Sequence, residues 1–116
     1  MRSALLAAGA AIALSLASQN AFAAPPAPSR ELEAAQRWFA HGIAAARAGD
    51  LPAARKAFGA AYALVPSVDI LWNLATTERK LGDNVGALEH LRAYVASAEA
   101  RPDRKKLADE DMLPEL

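Results

Sequence analysis

Apolar residues in this chain do not alternate with polar ones, so no β-strand is predicted anywhere along it. They return at helical spacing instead. Ala54, Phe58 and Ala61, for example, sit at i, i+4 and i+7, one face of a helix. Five helices are predicted. The first covers 30–48, begins after Ser29 as N-cap, carries Glu31 and Glu33 early where acids suit the helix dipole, and stops at Gly49. Asp50 caps the second, 51–64, with Pro52 tolerated in the first turn and Pro66 beyond its end. Ser67 caps the third, 68–81, which stops at Gly82. Asp83 caps the fourth, 84–99. Pro102 opens the fifth, 102–113, and Pro114 ends it.

The loops are short, and short loops make neighbouring helices antiparallel. "FAHGIAAARAGDLPAAR" at 39–55 and "WNLATTERKLGDNVGAL" at 72–88 both place Gly-Asp between helix-like segments. A Gly can take positive φ, and the Asp after it can accept backbone N–H bonds. The pair recurs at Gly49-Asp50 and Gly82-Asp83, 33 residues apart, a period that points to helical-hairpin repeats.

Both units resemble the tetratricopeptide repeat. In the first, Trp38, His41-Gly42, Gly49-Asp50, Ala54, Phe58, Ala61 and Pro66 fall on the family's pattern, with Ala45 where an aromatic is usual. In the second, Leu71, Asn73-Leu74-Ala75, Gly82-Asp83, Ala87 and Leu91 do so. Gly42 and Ala75 are small where helices cross, and Phe58 and Leu91 fill the space between hairpins. The departures are Ser67, which follows the closing Pro and leaves the inter-repeat loop one residue short, and Glu78 and Tyr94, where the family has Tyr and Ala. His41 replaces a core Leu and reads as a partly buried, locally hydrogen-bonded side chain, whereas His90 is expected to face outward.

The resemblance implies an all-α fold: two antiparallel hairpins, 30–66 and 67–100, stacked as a short right-handed solenoid. Residues 101–116 form a capping helix. Leu107, Met112 and Leu113 would cover the fourth helix, and Arg104, Lys105, Lys106, Asp109, Glu110 and Asp111 would be its solvated side. Stacked hairpins ordinarily need three or more copies, so an Ala-rich core of two suggests marginal stability or help from a partner. The segment 58–96 is also similar to exported tetratricopeptide proteins of myxobacteria and their relatives, many of which continue into a β-rich PEGA-type domain. Leu113-Pro114-Glu115-Leu116 resembles that junction, which implies a shortened or minimal version.

The N-terminus changes the picture of where the protein works. Met1-Arg2, the uncharged apolar run 4–17, the polar break 18–20 and Ala21-Phe22-Ala23 have the order of a secretory signal peptide, 1–23. The run is shorter than the ~20 apolar residues of a membrane span. Residues 24–29 read as a Pro/Ala-rich linker. The chain has no Cys, so it carries no lipoprotein anchor and no disulfide. A periplasmic or secreted protein is expected, off the membrane after cleavage. Of 13 basic and 13 acidic residues only Arg2 lies in 1–23, so the rest is nearly neutral, which disfavours nucleic acid.

Catalytic chemistry is not indicated. There is no phosphate loop, nucleophile–base pair or thiol, and Glu78 and Glu89 read as helix-surface carboxylates. The histidines share no ligand spacing, so neither metal nor cofactor is expected. What the resemblance implies is a concave groove lined by the first helix of each unit: Gln36, Phe39, Ile43 and Arg47, then Trp72, Thr76, Arg79 and Lys80. Its apolar strip and terminal cations would suit an amphipathic helix or an extended peptide bearing an acid. Phe39 and Ile43 occupy the positions where carboxylate-clamp members of the family carry Lys and Asn, so a clamp is not expected. The expected function is non-catalytic protein–protein interaction with a protein or peptide partner. The alternative is a structural piece that completes a larger solenoid or a homo-oligomer.

Overall fold

A computed structural model describes residues 27–116; the expected signal segment and the first half of the linker lie outside them. The described residues form helices joined by short loops, with no strand among them. The helices are α1 (Arg30–Arg47), α2 (Leu51–Leu64), α3 (Val68–Leu81), α4 (Asn84–Ala96) and α5 (Pro102–Leu107). A π-helical turn, Ala108–Met112, and a 3-10 turn, Leu113–Glu115, continue α5. None of the described helices is long and apolar enough to cross a membrane.

The local signals act as their chemistry requires. Ser29 Oγ accepts the Leu32 N–H at 3.1 Å, and Ser67 Oγ accepts that of Asp69 at 3.2 Å. The two Gly-Asp turns are copies of each other. Gly49 and Gly82 both have φ 80°, the left-handed region. The Asp50 N–H bonds the Ala45 carbonyl at 2.9 Å, and the Asp83 N–H bonds that of Glu78 at the same distance. Each Asp then caps the next helix, Asp50 Oδ1 from Ala53 N–H and Asp83 Oδ1 from Gly86 N–H. One glycine thus ends a helix in the Schellman manner and the next residue starts another, so each pair of helices folds back on itself.

A Cβ built on Gly82 meets nothing within 4 Å, so only its backbone angle resists substitution. Gly82→Ala is expected to cost about 1–2 kcal/mol, the penalty of the left-handed region for an L-residue. Gly82→Asn should cost less, because Asn visits that region. Urea denaturation of the two variants checks the order.

Inside each hairpin, a small residue on one helix admits a large one from the other. Gly42 on α1 lies against the Phe58 ring of α2. Ala75 on α3 shares a cluster with Leu91 of α4. Leu74 of α3 joins Ala54 and Phe58 and so ties the hairpins together. Ala108 stands 33 residues beyond Ala75, as Ala75 does beyond Gly42, and all three are buried. The period therefore reaches into the C-terminal segment.

Two expectations about the C-terminal half need correction. Helix α4 ends at Ala96, not 99: Ser97 turns to ψ 132°, its N–H bonds the Tyr94 carbonyl, and the loop then lets the buried Tyr94 hydroxyl accept the Arg101 N–H at 3.0 Å. The inner face of the last segment is Arg104, Ala108 and Met112, spaced by four, with Ala108 and Met112 buried. Leu107 lies off that face and is 43% exposed, while Arg104 is half-buried rather than solvated.

Candidate functional site

The predicted groove residues fall into two clefts along α3. Asp69, Trp72 and Thr76, at i, i+3 and i+7, share one stripe of that helix. At its N-terminal end, Gln36 and Phe39 of α1 meet Asp69 and Ile70 across a largely apolar cleft of about 240 Å³. At the other end, Trp72, Thr76, Arg79 and Lys80 face Leu107, Asp111 and Met112 across a cavity of about 330 Å³. Six of the eight predicted residues thus line an opening. Ile43 instead packs against the cluster of Ala54, Phe58 and Leu74. Arg47 is exposed in the last turn of α1.

Phe39 and Trp72 are anchored in the core as well as facing the clefts. Phe39 lies 5.6 Å from Phe58 between ring centroids, and Trp72 lies 5.0 Å from Tyr94. The Arg104 guanidinium covers the Trp72 ring at 5.3 Å and reaches Asp69 Oδ1 at 3.4 Å. Thr76 Oγ1 donates to the Trp72 carbonyl at 2.9 Å, which holds that side chain against its own helix. Arg79 Nη2 donates to Glu115 Oε2 at 2.7 Å.

The second concentration of chemistry was not expected. Glu78 is buried, 3% exposed, and is no helix-surface carboxylate. His90 of α4 does not face outward: its Nδ1 lies 2.5 Å from Glu78 Oε1, and its ring meets that of Tyr62 edge-on. Gly86 makes this fit possible, because a Cβ there would collide with Glu78 Oε2. Burial pushes the Glu78 carboxyl above its ordinary range; the His90 bond and charge pull it down, Asp83 pushes it up and Arg55 pulls it down. Asp83 in turn pairs with Arg55 of α2 at 2.8 Å, so the polar cluster bridges both hairpins.

An acid and an imidazole in contact could in principle move a proton. Here the carboxyl is shut away from solvent, and neither residue lines any of the three cavities described in this section. The contact ties α3 to α4. The sequence did carry a signal for it: an acid at position 78, where the repeat pattern has an aromatic, needs a buried partner.

His41 is also corrected. It is exposed, not partly buried, and its ring meets Trp38 edge-on at 6.2 Å. Both line an outward hollow of about 270 Å³ with Ala34 and Arg37. Among the described residues no cluster of three His, Cys, Asp or Glu side chains could hold a metal ion.

The described residues are thus an all-α unit of packed helical hairpins with a partly apolar face on α3. No family model, curated protein or solved structure matches it.

Proposed function

We propose that this chain is an exported, non-catalytic protein-interaction module of the tetratricopeptide kind, a short right-handed solenoid that takes a protein or peptide segment along α1 and α3. The observation that carries the reading is the pair of clefts opening on one stripe of α3. The 33-residue recurrence of turn, cap and buried small residue supports the repeat. Side-chain pockets flanking a mixed stripe centred on Trp72, with Arg79 and Lys80 at one end, suit a segment that alternates apolar anchors with an acid.

Phe39 and Trp72 are unsuitable for testing this because each also packs the core. Gln36 and Lys80 are exposed, so they can change without disturbing the fold. The double substitution Gln36→Glu with Lys80→Glu is expected to melt like the parent protein yet reduce partner recovery about tenfold, a loss of ~1.4 kcal/mol in binding. The comparison is made on immobilised proteins exposed to an extract of the exported fraction of the source cells. An unchanged set of recovered proteins would defeat the groove reading.

A second reading is favoured by apolar side chains left outside. Trp38 is 38% exposed on the outer side of α1, and Leu107 is 43% exposed on α5. A protein that completes a larger solenoid or a homo-oligomer would cover them. Sedimentation decides: this reading requires a concentration-dependent species that Trp38→Glu abolishes.

A further inference from the structure

The segment beyond α5 turns back onto α3. Glu115 takes the Arg79 guanidinium, and Leu113 and Leu116 pack beside Trp72 and Val95 on the cluster of Ala75, Leu91, Ala108 and Met112. The chain thereby lays a carboxylate flanked by leucines onto the α3 face. The charges on the cavity make the same point. With Glu115 in place, Arg79 and Lys80 are balanced by Glu115 and Asp111. With Glu115 withdrawn, the cavity is one carboxylate short.

The attachment is light. The Arg79 and Glu115 side chains are 36% and 67% exposed, and pairs so open to water contribute little. Leu113 and Leu116 are only half-buried. The segment also follows a π-helical turn, a geometry proteins use sparingly and mostly where a helix has a task besides packing. Tethering still gives the segment an effective concentration near the millimolar range, so a weak competitor does not displace it.

We propose that residues 113–116 are a built-in ligand of the α3 face, displaced when a partner segment of the same chemistry, one carboxylate set between aliphatic side chains, takes Arg79. This rests on the groove reading, but only on its α3 half.

The test uses nitrogen-15-labelled protein and a synthetic peptide of residues 113–116 with blocked ends. The indole N–H resonance of Trp72 reports the cavity, and that of Trp38, on the outer side of α1, is the control. Two variants free the face: a chain ending at Met112, and Glu115→Arg, which changes only an exposed side chain and so carries the test where the shorter chain loses its fold. In both, the peptide is expected to move the Trp72 resonance, saturating at a concentration several-fold lower than with the parent protein. Trp38 should stay still, and a peptide with Lys in place of its Glu should move neither.

A Trp72 resonance that no peptide concentration shifts in the freed chains overturns the proposal. So does a Lys-bearing peptide that binds as well. The two readings fail separately. Peptide binding to the freed face, with no partner lost on Gln36→Glu/Lys80→Glu, keeps the built-in ligand and removes the longer groove. A silent peptide, with a partner captured equally by parent and Glu115→Arg chains, does the reverse.

Discussion

Phe58→Ala is expected to remove about 3–5 kcal/mol of stability, the usual cost of emptying a fully buried aromatic site. Phe58 is 1% exposed and joins both hairpins, touching Gly42, Phe39, Ala54 and Leu74. A domain of this size holds roughly 5–13 kcal/mol in all at the ordinary rate per residue, so the variant reaches its unfolding midpoint at room temperature only if the parent lies at the low end of that range. Gly42 supplies the more discriminating half of the experiment. A Cβ there would lie 2.5 Å from Phe58 Cδ1 and Cε1. Gly42→Ala should therefore destabilise by about 1–3 kcal/mol through overpacking, although Ala is the better helix former by ~1 kcal/mol. In the Phe58→Ala background the ring is gone, and Gly42→Ala should become neutral or favourable. Urea denaturation of the four proteins closes the cycle. Simple additivity would mean that helix crossing at Gly42 does not depend on Phe58.

The pair Glu78–His90 predicts a dependence on pH as well as on mutation. Burial holds the Glu78 carboxyl above its ordinary value of 4.5. Between that value and its raised one, the folded chain binds more protons than the unfolded chain. The contribution of this group is full below 4.5 and is lost as pH rises through the folded-state value. Glu78→Gln removes the titration and keeps a group that can hydrogen-bond to His90. The stability of the parent relative to Glu78→Gln should therefore fall with rising pH across that window and be flat above it.

His90→Ala acts in the opposite sense. It deletes the contact that pulls Glu78 down, so the carboxyl moves higher still and the window widens. A buried carboxyl remains without the imidazole it bonded. The cost should be about 1–3 kcal/mol, toward the lower end for a broken buried pair because a quarter of the His90 side chain is open to water. Equilibrium unfolding at a series of pH values checks both variants. Coincident curves for the parent and Glu78→Gln would show that Glu78 does not titrate differently on folding.

What could be read from the chain was local. Helices α1, α2 and α3 lie within a residue of their expected limits, because Ser29, Asp50, Ser67, Gly49 and Gly82 act on backbone groups a few positions away. The Glu78–His90 contact was not read, because it depends on a gap across two helices that Gly86 leaves open. Leu107 and Arg104 were exchanged between faces for a similar reason. Hydrophobicity alone put the leucine inside, whereas four-residue spacing and the Trp72 ring draw the arginine in. Of the predicted groove, the α3 residues are together in one cavity, but Ile43 is absorbed by the ring of Phe58 and its neighbours, which no spacing rule distinguishes from an outward position.

The main packing partners in this protein are neighbours in sequence: α1 with α2, α2 with α3, α3 with α4, and the last turns with α4. Most of the core closes between elements that follow one another along the chain. Folding of such a chain is expected to be fast and to start at any one turn, then zip outward. Unfolding runs the other way, from the ends. Amide exchange should therefore fade gradually from the middle of α3 toward both termini instead of dropping at one boundary, and the last turns can fray open many times while the central hairpin contact stays closed.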